Sequence, residues 1–156
     1  MPFYSNTTQG TVNYSPGTIN ASLILPNDTA VNNSTTLSAI DEFKLAVGKY
    51  ERFILKYTLF TAHDATSDIK VEVNVPATPT IYRAQLISGG DEGTTTLIAE
   101  GDLSLTTDTA NDVVEVKALV QNGANAGDIT FSFAERDAGG DGLTILGGSY
   151  LEYIKF

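Results

Sequence analysis

The chain has 156 residues, enough for one domain that buries its own core. Nine Lys and Arg against 19 Asp and Glu leave a net charge of −10, and the cations are scattered singly. That pattern argues against a phosphate-binding surface and so against nucleic acid as a partner. The absence of Cys excludes disulfide scaffolds, thiolate metal centres and Cys nucleophiles, and a single His leaves no His-rich metal site or proton relay.

Residues 1–37 are rich in Ser, Thr, Asn, Gly and Pro, with apolar residues as isolated anchors. Such a stretch has too little apolar surface to offset its own ordering. It reads as an extended N-terminal arm, ordered against a neighbour, with Phe3, Tyr4, Tyr14, Leu23 and Leu25 as the anchors. Asn6, Asn20, Asn27, Asn32 and Asn33 head Asn-x-Ser/Thr triplets, which in this composition are expected to be coincidental rather than glycosylated. MPFYSNTTQG has neither a basic nor an apolar signal region, and no apolar run approaches the roughly 20 residues that span a bilayer. Synthesis in a cytoplasm and no membrane partner are expected.

From residue 38 to 156 the chain reads as one domain of successive strands. LSAIDEFKLAV (37–47) holds a candidate strand, and Gly48-Lys49 is a turn. ERFILKYTLFTA (51–62) alternates, with Phe53, Leu55, Tyr57 and Leu59 inward and Arg52, Ile54, Lys56 and Thr58 outward. After the HDATSD turn, IKVEVNVP (69–76) points Ile69, Val71, Val73 and Val75 inward. PTIYRAQLI (79–87) is a strand closed by a Gly-rich loop, and residues 95–107 hold a short strand or a bulged pair. VVEVKALV (113–120) and DITFSFAE (128–135) flank an Asn122-Gly123 turn, and LTILGGSYLEYIKF (143–156) reads as one closing strand. Its apolar residues place that strand centrally, in a core or at a subunit seam.

Strands at this spacing, with no helical stripe between them, predict an all-β protein: an antiparallel jelly-roll β-sandwich behind an extended arm. One core is expected to hold Phe53, Leu55, Tyr57, Val71, Val73, Val114, Val116, Phe131 and Phe133. Tyr is well suited to contacts, since its ring buries area while its hydroxyl stays bonded. Tyr150, Tyr153 and Phe156 are therefore candidates for the seam of a homotrimer.

Catalytic chemistry is sparse. His63 sits beside Asp64 in a turn and reads as a solvated turn histidine rather than a triad base. Asp64…Asp68 and Asp137…Asp141-Gly142 resemble fragments of calcium loops but lack the alternating acidic spacing and distal Glu of an EF-hand. No Trp is present to form a sugar platform. The expectation is no enzyme, no catalytic residue, no metal and no cofactor.

The run RFILKYTLFTAHDATSDIKVEVNVPATPTIYRAQL (52–86) and the ending LGGSYLEYIKF (146–156) resemble recurring modules in structural proteins of tailed bacteriophages. These are trimeric jelly rolls of the tumour-necrosis-factor and C1q shape. The resemblance covers residues 38–156, is one of pattern, and carries no active site. It implies a capsid decoration or cement protein on the outer surface of the virion. Such a protein forms trimers that bind the major capsid protein and stabilise the head shell. The alternative it implies is a trimeric receptor-binding fibre head, or another tail or vertex component. A fibre head is expected to follow a long shaft, whereas about 37 residues precede the domain here, so the decoration role is favoured.

Overall fold

A computed structural model describes residues 5–6, 11–12, 21–63, 68–88, 94–97, 103–105, 111–137 and 142–156. Those residues form fourteen strands and no helix: β1 (Ser5–Asn6), β2 (Thr11–Val12), β3 (Ala21–Ile24), β4 (Thr29–Val31), β5 (Ser38–Val47), β6 (Arg52–His63) and β7 (Ile69–Asn74), followed by β8 (Ile81–Ser88), β9 (Thr94–Leu97), β10 (Leu103–Leu105), β11 (Asn111–Gln121), β12 (Gly127–Glu135), β13 (Leu143–Ile145) and β14 (Tyr150–Lys155). Every pairing is antiparallel. One sheet runs β10-β7-β12-β5; the larger runs β3-β14-β6-β11-β8-β9, with β13 joining β6 to β4. The two sheets pack face to face as a β-sandwich. β1 and β2 pair with each other.

The alternating segments behave as their period demands. Phe53, Leu55, Tyr57 and Leu59 of β6 meet Val71 and Val73 of β7, Val114 and Val116 of β11, and Phe131 and Phe133 of β12 in one continuous core. Its centre is aromatic: Phe43 stands edge-on to Tyr57 and Phe131, and Tyr57 stacks on Phe131 with ring centroids 4.5 Å apart. Tyr82 of β8 reaches across the sandwich, where its hydroxyl donates to the Val73 carbonyl at 3.1 Å.

β5 departs from simple alternation. Its ladder with β12 jumps from Phe131↔Ile40 to Ile129↔Leu45. The bulged residues include Phe43, which turns fully inward, while Asp41, Glu42 and Lys44 face solvent. A bulged, charged edge resists strand addition from another chain.

The single closing strand expected over 143–156 is two strands. Gly148 takes φ +90, a conformation that glycine adopts without steric cost, and the chain loops out between β13 and β14. Ser149 repairs the interrupted ladder: its hydroxyl accepts from the Phe60 amide at 2.9 Å and donates to the Leu146 carbonyl at 2.7 Å. Both pieces consequently share one edge of β6, β13 on Thr61–His63 and β14 on Phe53–Thr58.

Residues 21–31, assigned by the sequence to the arm, belong to the sandwich. β3 pairs with β14 and β4 with β13 of the same chain, and Leu25 is buried in the chain's own core. The physical reason is the ladder that β14 and β13 otherwise leave open, which ASLIL and TAV complete. β14 thus lies between β3 and β6, inside the larger sheet.

Candidate functional site: the outer face of the larger sheet

Each strand of the larger sheet sends alternate residues outward, and the ladder registers fix which of them are neighbours. In one row across the sheet, Ile154 of β14 lies opposite Ile54 of β6, which lies opposite Leu119 of β11 and then Arg83 of β8. The next row reads Ser22, Glu152, Lys56, Lys117 and Gln85, and the row beyond it Ile24, Tyr150, Thr58, Glu115 and Ile87. Phe60 and Val113 pair at one end of this face. At the other end the Phe156 amide donates to the Arg52 carbonyl, continuing the β14 column.

Seven large apolar side chains are exposed among the described residues: Ile24, Tyr50, Ile54, Phe60, Val113, Leu119 and Phe156. All but Tyr50 stand on this face or its rim. Ile54 is 43% exposed and Leu119 37%, side by side in the middle of the sheet. With Ile154 on the other side of Ile54, they make a contiguous apolar row rather than singly scattered residues.

A charged band crosses between the apolar rows. Glu115 accepts from Lys56 at 2.8 Å and from Lys117 at 3.1 Å. Those two bonds, Lys56 first, hold the Glu115 carboxyl below the ordinary glutamate range, and the same bond raises the Lys56 ammonium. The face carries Arg52, Lys56, Arg83 and Lys117 against Glu115 and Glu152, a cationic excess on a strongly acidic chain.

The residues singled out by sequence distribute unevenly around this face. Tyr150 stands half-buried on it, and Phe156 ends its outer column 60% exposed. Tyr153 points the other way, 3% exposed within the core, because its parity along β14 matches Leu151 rather than Tyr150; it is not available to a seam. Leu23 packs half-buried against the core and Leu25 lies in it, so neither is free to anchor on a neighbour. Phe3, Tyr4 and Tyr14 lie outside the described residues. Ile24, Ile54, Phe60, Val113 and Leu119 were not singled out; the outward parity of Ile54 in ERFILKYTLFTA was a signal for that residue alone.

The end of the sandwich just beyond Phe60 is polar. His63 is buried at the end of β6, not solvated in a turn, because β6 runs one residue further and pairs His63 with Leu143. Glu135 is fully buried, accepting from the Asn33 amide at 2.8 Å while its own amide donates to the Ser34 carbonyl. Arg136 bridges to Asp68 and to Asp137, both at 2.9 Å. Asp64 and Asp141 lie outside the described residues; among those described, no three His, Asp or Glu side chains gather closely enough to hold a metal ion.

Comparison with protein-family models and with curated proteins returns no match to this chain.

Proposed function

We propose that this protein is a virion structural protein: a trimeric decoration, or cement, protein that binds the outside of a phage head shell. The observation that carries the reading is the outer face of the larger sheet, where six of the seven large apolar side chains exposed among the described residues collect. A surface of that composition works by contact, and contact repeated over a lattice stabilises a shell through avidity, without chemistry.

The strand orders support the jelly roll expected of such modules. β5, β12, β7 and β10 make one sheet, and β3, β14, β6 and β11 the core of the other, with β8 and β9 added at its edge. Consecutive strands β5, β6 and β7 alternate between sheets, as do β11, β12 and β14, and this alternation supports a path of two interlocked Greek keys.

The test is cosedimentation of the purified full chain with undecorated phage shells, followed by heating of the decorated particles. Saturable binding with a raised shell-disruption temperature supports the reading. Binding to host cells with none to shells replaces it with the fibre-head role, and binding to neither overturns both.

A further inference from the structure

We infer that Asn122-Gly123 is a self-modification site: its side-chain amide converts to a carboxylate when the end of the sandwich around it opens, and the closed fold holds that reaction off. The inference does not depend on what the protein docks on.

The chemistry belongs to the residue pair. The chain contains one Asn-Gly sequence, at 122–123. In such a pair the backbone nitrogen of the glycine, unshielded by a Cβ, can attack Cγ of the asparagine side chain. The nitrogen gives its proton to water or hydroxide, a bond from nitrogen to Cγ forms, the Cγ–Nδ2 bond breaks, and ammonia leaves. A five-membered succinimide results. Water then adds at either of its carbonyls and leaves Asp, or its β-linked isomer, at position 122. Water is the sole co-reactant, no electron is transferred, and the chain gains one negative charge.

The closed fold opposes each of these steps. The Gly123 amide donates to Oδ1 of Asn122 at 2.9 Å, so the nitrogen turns its proton toward the side chain rather than the electron pair above the peptide plane. The leaving group is held, because Nδ2 donates to the Gly48 and Asn125 carbonyls, both at 2.7 Å. Rotation of the backbone is blocked as well. The Asn122 amide donates to the Glu51 carbonyl at 2.8 Å, and the Gly123 carbonyl accepts from the Tyr50 amide at 2.9 Å. On another side the Thr78 carbonyl oxygen stands 2.2 Å from where a Cβ on Gly123 would lie. Both residues are buried, which keeps out the water that must take the proton.

The product does not fit the place it came from. A carboxylate at 122 has an oxygen where Nδ2 donated, and that oxygen faces the same two carbonyls inside a buried site. The β-linked isomer adds a methylene to the backbone between the two hydrogen bonds that fix this turn. Opening of this end is therefore reversible until the amide is lost and irreversible afterwards, so the site records the time spent open.

The experiment incubates the full chain in mildly alkaline buffer, folded and in urea above its unfolding midpoint. Asn122 is followed by peptide mass spectrometry and by an assay for β-linked aspartate. Conversion in the folded chain is expected to be at least about a hundredfold slower than in the unfolded chain, since only the open population reacts. The converted chain, separated by its extra charge, is expected to melt below the unconverted one. Equal rates in the folded and unfolded chains overturn the inference, as does an Asn122 that stays intact in urea. A converted chain that melts together with the unconverted one overturns it equally.

Discussion

The Asn122 side chain donates to the Gly48 carbonyl at 2.7 Å, joining two turns that lie 74 residues apart in sequence. The same Nδ2 donates to the Asn125 carbonyl at 2.7 Å, Oδ1 accepts from the Gly123 amide, and the Asn122 amide donates to the Glu51 carbonyl. The side chain is fully buried, so its own amide atoms have no access to water and depend on these partners. Asn122→Ala is expected to cost about 2–3 kcal/mol, read as a lower denaturation midpoint with an unchanged slope. Asn122→Asp is expected to cost at least as much, because an acceptor would then face two carbonyls.

Next to it, Gly123 has no room for a side chain. A Cβ there would stand 2.2 Å from the Thr78 carbonyl oxygen, a backbone atom that cannot rotate away. Gly123→Ala should lower the melting temperature by several degrees. Gly148→Asn is the milder change: φ is +90, but nothing lies within 4 Å, and Asn tolerates positive φ better than other residues with a side chain.

Tyr57 and Tyr82 form a controlled pair. The Tyr57 hydroxyl is buried with no hydrogen-bond partner among the described residues, and burial pushes its pKa far above the ordinary phenol value. Tyr57→Phe removes that unsatisfied group and keeps the stack on Phe131, so stability should hold or rise by up to about 1 kcal/mol. Tyr82→Phe discards the bond to Val73 and should cost about 1 kcal/mol. Equal effects from the two substitutions would contradict the hydrogen-bond assignments.

Much of this was legible in the sequence, and the exceptions have physical causes. Strict period-2 alternation marked β6, β7, β11 and β12, and every residue expected in the core from them is buried. In β5 the inward residues are Ile40, Phe43 and Val47, a spacing that a bulge produces and that no alternation template reveals. Thr58 has outward parity yet is only 6% exposed, since Tyr150 and Glu115 close over it from both sides. The apolar face itself was missed because outward residues of β6, β11 and β14 become one patch only when the strands are set side by side. Pairing partners are non-local, and one-dimensional periodicity does not encode them.

Acid should weaken the fold through Glu51 and Glu115. Burial acts to raise Glu51, but the hydrogen bonds from Lys155 and the Gly48 amide outweigh it and hold the carboxyl below its ordinary 4.5. Lys56 and then Lys117 hold Glu115 below 4.5 as well. For carboxyls lowered in the folded state, the stabilisation is complete above the unfolded value and is lost as pH falls through 4.5 and below. The expected contribution is about 0.5 kcal/mol for a solvent-facing pair such as Lys56–Glu115, and Glu115→Gln should flatten that part of the acid limb of melting temperature against pH.

Truncation separates residues 1–20 from residues 21–31. Deleting 1–30 removes β3 and Leu25, strips one ladder from β14, and should lower the melting temperature substantially or abolish folding. Deleting 1–20 leaves those strands in place and should keep a cooperative thermal transition.

The position of β14 between β3 and β6 also sets an order of events during translation. β3 emerges from the ribosome early, yet the strand it pairs with is β14, which is made more than a hundred residues later. Until then the β14 edge of β6 is open, the Leu25 site incomplete, and the core lacks Leu151 and Tyr153. Non-local pairing of this kind slows folding and leaves strand edges exposed in nascent chains. The sandwich therefore closes only once β14 has been made, when that strand slides into a slot whose two walls, β3 and β6, were made long before it.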